Sequence, residues 1–128
     1  MKKLLAIAAA LAALSPAAEA RPYPDRLGIC YQFKNGEFAS RAPCVISTGY
    51  GAGAQYMTLT FNGKEYYAEY PNIRPNMPPT LDDKPALEYR RDTSFLDILK
   101  GKAIEGEEYM SCIKTKDGKL DLCYAYGS

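Results

Sequence analysis

Cys112-Ile113-Lys114-Thr115-Lys116-Asp117-Gly118-Lys119-Leu120-Asp121-Leu122-Cys123 is the stretch that decides how this chain folds. Asp117-Gly118 at its centre favours a two-residue type I′ turn, since both central positions need positive φ and the turn matches the twist of paired strands. With those residues as the turn, Lys116 faces Lys119, and counting outward brings Cys112 directly opposite Cys123. Opposed strand residues lie within the Cα separation that a disulfide spans. The segment therefore predicts a hairpin closed by a Cys112–Cys123 bridge.

Two more such turns lie upstream, Asn35-Gly36 and Asn62-Gly63, each flanked by strand-forming residues. Around Asn62-Gly63, Phe61 should pair with Lys64, Leu59 with Tyr66 and Met57 with Ala68. One face then carries Met57, Leu59, Phe61, Tyr66, Ala68 and Tyr70. The other carries Tyr56, Thr58, Thr60, Glu65, Tyr67 and Glu69. One apolar and one largely polar face suit an antiparallel sheet laid over a core. Around Asn35-Gly36 the same counting puts Cys30 opposite Arg41, with Cys44 three residues further on. A bend at Pro43 would bring Cys44 back to Cys30, and elimination favours Cys30–Cys44 as the second bridge.

Between these hairpins, residues 71–85 contain five prolines and should run as an extended surface connector, with strand resuming over Ala86 to Arg90. Ser94 precedes Phe95-Leu96-Asp97-Ile98-Leu99-Lys100-Gly101. Ser94 as N-cap, Asp97 three residues on and Gly101 past the end predict a short helix or turn whose Phe95, Ile98 and Leu99 plug the sheet. The fold class is thus mainly β: a small antiparallel β sandwich or barrel with one short helix and two disulfides.

The N-terminus bounds the compartment. Lys2-Lys3, the apolar run Leu4 to Leu14, Pro16 and the small residues of Ala18-Glu19-Ala20 read as a secretory leader over residues 1–20. Residues 21–128 then form one domain, periplasmic or secreted, with no membrane insertion once the leader is gone. An oxidising compartment favours two disulfides from the four cysteines. No cysteine pair has the short spacing of a structural zinc site. The chain holds 16 Lys+Arg against 15 Asp+Glu, both signs scattered. Such a surface argues against nucleic acid as a partner, which needs a concentrated basic face.

Histidine is absent, which removes Ser-His-Asp and Cys-His arrangements and the usual imidazole metal ligands. Oxidised cysteines remove thiolate chemistry as well. The expectation is a non-enzymatic protein without cofactor or metal. The enzymatic alternative is a small hydrolase or ligand-binding enzyme using Asp82, Asp83, Glu107 or Glu108, and it needs these carboxylates in one pocket. Glu107 and Glu108 alternate across a strand, and Asp82-Asp83 reads as a solvated turn. A third class is a structural or host-interacting surface protein.

Ser47-Thr48-Gly49-Tyr50-Gly51-Ala52-Gly53-Ala54-Gln55-Tyr56 spaces three glycines alternately. A dinucleotide fingerprint needs a helix next, whereas Met57 to Phe61 reads as strand. The segment is either a tight connection or bulged strand, or a protruding loop that contacts a partner. Its contact residues would be Thr48, Gly49, Tyr50, Gly51, Gly53, Gln55 and Tyr56. Gly53-Ala54-Gln55-Tyr56 followed by strand resembles the Ser-Gly-Ala-x-Tyr loop of the MliC/PliC-type lysozyme inhibitors of Gram-negative bacteria. Those are small disulfide-stabilised β barrels whose loop serine enters the lysozyme cleft; Ala52 stands in its place here. The likeness covers about five of 128 residues, and neither the cysteine layout nor the proline-rich connector follows that family. It implies a protein inhibitor, hence a protein partner.

Eleven tyrosines and no tryptophan complete the picture. Tyrosine buries a ring while its hydroxyl stays wet, which suits contact surfaces. The predicted faces make Tyr56 and Tyr67 contact candidates and Tyr66 and Tyr70 core candidates.

Overall fold

The computed structural model describes residues 21–51, 53–71, 77–100 and 108–127. The leader over residues 1–20, Ala52, the start of the proline-rich connector, Gly101 and Glu107 lie outside them. The described chain is built from β1 (Arg21–Pro22), β2 (Arg26–Lys34), β3 (Glu37–Gly51), β4 (Ala54–Phe61), β5 (Lys64–Pro71), β6 (Thr80–Leu81), β7 (Lys84–Asp92), β8 (Ile98–Leu99), β9 (Tyr109–Thr115) and β10 (Asp121–Tyr126).

The β4–β5 hairpin follows its sequence residue by residue. Asn62 and Gly63 sit at φ 53° and 72°, and Phe61, Leu59 and Met57 face Lys64, Tyr66 and Ala68. All but Lys64 are buried. Asn35 and Gly36 likewise take φ 54° and 81°. Here the register slips between Gln32 and Phe33, so Cys30 faces Ala42 rather than Arg41, and Cys44 faces Gly28. The bulge changes which side of the strand Cys44 occupies. Cys44 thereby lands on the face of Cys30, and the two bond across a Cα separation of 5.7 Å. The second disulfide was expected, but its route was not: Pro43 does not bend the chain, and β3 runs through it.

At the last hairpin the register is as counted, with Cys112 opposite Cys123 and bonded to it at a Cα separation of 4.0 Å. The turn differs. Gly118 has φ 78° but Asp117 stays out of the left-handed region. Thr115 N–H donates to Leu120 O at 2.9 Å and Gly118 N–H to Thr115 O at 2.9 Å. The loop thus spans Lys116 to Lys119. It keeps the register because it gains one residue on each arm. The Asp117 carboxylate favours this form by accepting from the Thr115 hydroxyl (2.6 Å) and Lys119 N–H (3.0 Å).

The proline-rich segment is not a connector to its end. Asp82 and Asp83 take φ 49° and 66° and close a β6–β7 hairpin in which Leu81 faces Lys84. Asp82 Oδ1 accepts Tyr67 N–H at 2.9 Å, pinning that turn to β5. The short helix after Ser94 is absent from the described residues. Asp92 takes over the capping role: its Oδ1 accepts the N–H groups of Ser94, Phe95 and Leu96, and its Oδ2 that of Asp97. A short carboxylate offering acceptors to successive amides competes with helix formation. Leu96, at φ 64°, then redirects the chain into β8, which pairs with Arg90 and Arg91. Phe95 is 82% exposed, so it plugs nothing.

The strands form one antiparallel sheet in the order β1-β3-β2-β10-β9-β7-β6-β5-β4, and β4 pairs back onto β3. The circuit of hydrogen bonds closes because β3 is long enough to serve β2 up to Ile46 and β4 from Val45 onward. The main core, on one face, gathers Cys30, Cys44, Ile46, Met57, Leu59, Phe61, Tyr66, Ala68, Leu81, Ala86, Ile113 and Leu122. A second cluster of Phe33, Met110, Cys112 and Cys123 lies on the other face, since Cys112 and Cys123 each adjoin a residue of the main core. The two disulfides therefore brace opposite faces.

Gly28 shows how tightly this sheet closes. A Cβ there would meet Ala125 O at 2.3 Å and Ile46 Cδ1 at 2.7 Å. Gly28→Ala should lower stability by about 1–3 kcal/mol, read as a fall in denaturant midpoint. An unchanged midpoint would show that β10 retreats freely.

Candidate functional site

β6 is two residues long, and that brevity makes the site. It joins β5 only at Ala68 and Glu69 and β7 only at Lys84 and Pro85. Past those pairs the described residues of β5 and β7 part, Pro79 O accepting Ala86 N–H at 2.9 Å beside them, and a slot lies between the two strands among the described residues. Two adjoining cavities of about 390 and 410 Å³ occupy it, and both are lined by Tyr70, Glu88 and Tyr124. The first is also lined by Tyr89, Arg90, Leu99, Ser111 and Cys112. Gln55, Pro71, Met77 and Pro79 complete the second. Cavities of this size with a few convergent polar groups are the usual form of a binding site.

Register accounts for the lining. Gln55 faces Tyr70 across β4–β5, Ser111 faces Tyr124 across β9–β10 and Arg90 across β7–β9. These positions share the face of the main core but lie where the slot interrupts it. Tyr70 and Tyr124 are accordingly half-buried against that core, while Gln55, Glu88 and Arg90 are exposed. Burial pushes the Tyr70 phenol well above its usual range, helped by Tyr124 and Glu88. Burial likewise raises Tyr124, and the Ser111 hydroxyl pulls partly the other way. Both phenols are neutral donors throughout the physiological range.

Tyr126 extends the wall, its ring edge-on to Tyr124 at 5.9 Å. The two arginines at this rim lie against tyrosines: Arg26 is 3.7 Å from the Tyr126 ring centroid and Arg90 4.8 Å from that of Tyr109.

The described part of the glycine-tyrosine segment is strand up to Gly51 and again from Ala54. Tyr50 faces Gln55 and Gly51 faces Ala54, with Gly53 at φ 78° in the connection. Thr48, Gly49 and Tyr50 are also held by the neighbouring β1: Tyr23 N–H donates to Thr48 O at 2.9 Å, Pro22 pairs with Gly49, and the Tyr23 and Tyr50 rings lie 5.8 Å apart. Of the expected contact residues Gln55 alone lines the slot; Tyr56 points to the opposite face. Tyr67 is 38% exposed and also lies away from it. Tyr66 is buried as expected, but Tyr70 faces the cavity as well as the core. The alternation around Asn62-Gly63 placed Tyr70 on the right face; only the early end of β6 makes that face accessible.

Of the carboxylates considered for catalysis, Asp82, Asp83 and Glu108 do not come together, and Glu107 lies outside the described residues. Asp82 and Asp83 form the turn at the start of β7, whereas Glu108 adjoins Thr93 beyond its far end, where Glu108 O accepts Thr93 N–H at 3.4 Å. Among the described residues no group of three His, Cys, Asp or Glu side chains is placed to hold a metal ion. No helix there is long and apolar enough to cross a membrane.

Tyr89, on the outer face, shares with Tyr70 and Tyr124 a phenol raised chiefly by burial. An unfolded chain releases phenolic protons near pH 10, while these three keep theirs to higher pH. Their contribution is therefore intact below pH 10 and is lost as pH climbs beyond it. Urea midpoints at about pH 8 and about pH 11 should differ, the second being lower; equal midpoints would contradict the assignment.

No family model, no curated protein and no solved structure matches this chain.

Proposed function

We propose that this is an exported, non-catalytic binding protein, a small stapled β barrel that engages another protein through the slot between β5 and β7. The observation that carries this reading is the slot itself, where two tyrosines, a carboxylate and a carboxamide converge on a cavity of about 410 Å³. Two disulfides support an oxidising, extracytoplasmic setting, and the basic-apolar leader supports periplasmic or secreted export. The closed circuit of strands supports the barrel. A sequence without histidine or free thiol suits recognition better than turnover.

A photo-crosslinking residue at Gln55 or Glu88 should yield a discrete adduct in the producing cells, and one at Asn62, at the far end of the β4–β5 hairpin, should not. Adducts at all three positions, or at none, would remove the slot from the reading. The resemblance to lysozyme inhibitors gives a narrower version, in which the end of the β3–β4 hairpin enters a lysozyme cleft. The purified protein should then slow cell-wall lysis by at least one lysozyme class. No slowing across the classes would discard that version and leave the slot.

A further inference from the structure

The geometry points to the slot as a receptor for an organic cation, an alkylammonium or guanidinium group, held between Tyr70 and Tyr124 with Glu88 as its counter-charge. This rests on the slot being the binding site and names the chemistry it selects.

Three observations carry it. First, among the described residues the second cavity has one charged side chain in its lining, Glu88, set beside two tyrosines, Gln55 and the apolar Pro71 and Pro79. A carboxylate next to aromatic faces is the arrangement that draws a cation out of water. Second, the phenols stay protonated, so their rings keep the negative faces of neutral aromatics and add no competing anionic oxygen. Third, this molecule already uses its aromatic faces in this way. Arg26 on Tyr126, Arg90 on Tyr109 and Arg91 on Phe33 lie 3.7, 4.8 and 3.9 Å from the ring centroids. No such contact occupies Tyr70 or Tyr124 among the described residues. Arg90, the cation that lines the first cavity, is already engaged with Tyr109 at the rim. An anion would be repelled by Glu88, and a neutral apolar ligand would make no use of its charge.

The test is a titration of the purified protein with n-butylguanidinium and with butyltrimethylammonium. Butyrate and the neutral isostere, in which carbon replaces the ammonium nitrogen, serve as controls. Both cations should saturate and shift the Tyr70 and Tyr124 ring resonances, and both controls should bind at least about tenfold more weakly. Glu88→Gln, at an exposed position, should weaken cation binding about tenfold while leaving the melting temperature in place. Equal binding of the neutral isostere, or unchanged affinity in Glu88→Gln, would overturn the proposal. Two sources offer such a group, a basic side chain of a protein or a free small amine. A capped tripeptide with central arginine that binds more tightly than butylguanidinium identifies the first; weaker binding identifies the second. Crosslinks at Gln55 and Glu88 without cation binding would end this inference and keep the binding reading; loss of both would end both.

Discussion

Arg91→Met with Asp121 left in place should destabilise the protein by about 3–5 kcal/mol. The two side chains are 6% and 4% exposed, in the cluster on the outer face of the sheet. Arg91 Nη1 donates to Leu96 O at 2.7 Å and its Nε to the Tyr89 hydroxyl at 3.1 Å. The Tyr89 hydroxyl in turn donates to Asp121 Oδ1. The closest direct approach, Arg91 Nη2 to Asp121 Oδ2, is 3.9 Å, beyond hydrogen-bond range. Tyr89 is thus the bridge between the charges, and Phe33 lies under the guanidinium at 3.9 Å. Losing Arg91 strands a carboxylate away from water and frees the Leu96 carbonyl. Replacing both charges, Arg91→Met with Asp121→Leu, should recover most of the loss, because neither desolvation penalty remains. Tyr89→Phe should cost about 1–3 kcal/mol. Denaturant unfolding of the parent, Arg91→Met, Asp121→Leu and the double replacement closes a double-mutant cycle. If the double replacement costs the sum of the two single replacements, the charges are not coupled.

Joint replacement of Cys30 and Cys44 by alanine should cost about 2–5 kcal/mol, and more than the same change at Cys112 and Cys123. The bridged residues are separated by 14 and 11 positions, too similar for chain entropy to rank them. Register ranks them instead. Cys112 and Cys123 face each other directly in a hairpin whose loop already fixes the pairing. Cys30 and Cys44 lie diagonally across β2 and β3, beyond a bulge. Without their link, the unbulged alternative puts the Cys44 side chain on the other face. Chemical denaturation of both double variants reads the difference; a larger loss for Cys112 and Cys123 would refute the register argument. Free thiols in protein taken from its native location would refute the stapling itself.

The legible parts of this fold are those written locally. Asn62-Gly63 and its alternating flanks gave turn, register and buried face together. Asp117-Gly118 gave a register that survived a different loop, because the Asp117 side chain recruited neighbours without shifting the pairing. The bulge between Gln32 and Phe33 carries no glycine to announce it, so a bend at Pro43 was the nearest local account of a real disulfide. Asp82-Asp83 was legible as a turn, and left-handed φ falls there on residues that tolerate it; proline counting hid the short strand β6 that pairs across it. The helix after Ser94 failed because Asp92, two residues earlier, satisfies the same amides. The slot was the least legible element. Tyr124, Glu88 and Ser111 come together only after β10 inserts between β2 and β9, and no local pattern records where β5 and β7 separate.

That insertion also sets a timetable. β2, near the start of the described chain, finds one neighbour in β3 at once but must wait for β10 to emerge before its other edge is covered. Until β10 has left the ribosome, the circuit of strands cannot be completed. The order of the strands is then a clock as well as a shape, because completion waits on the last strand of the circuit to be made.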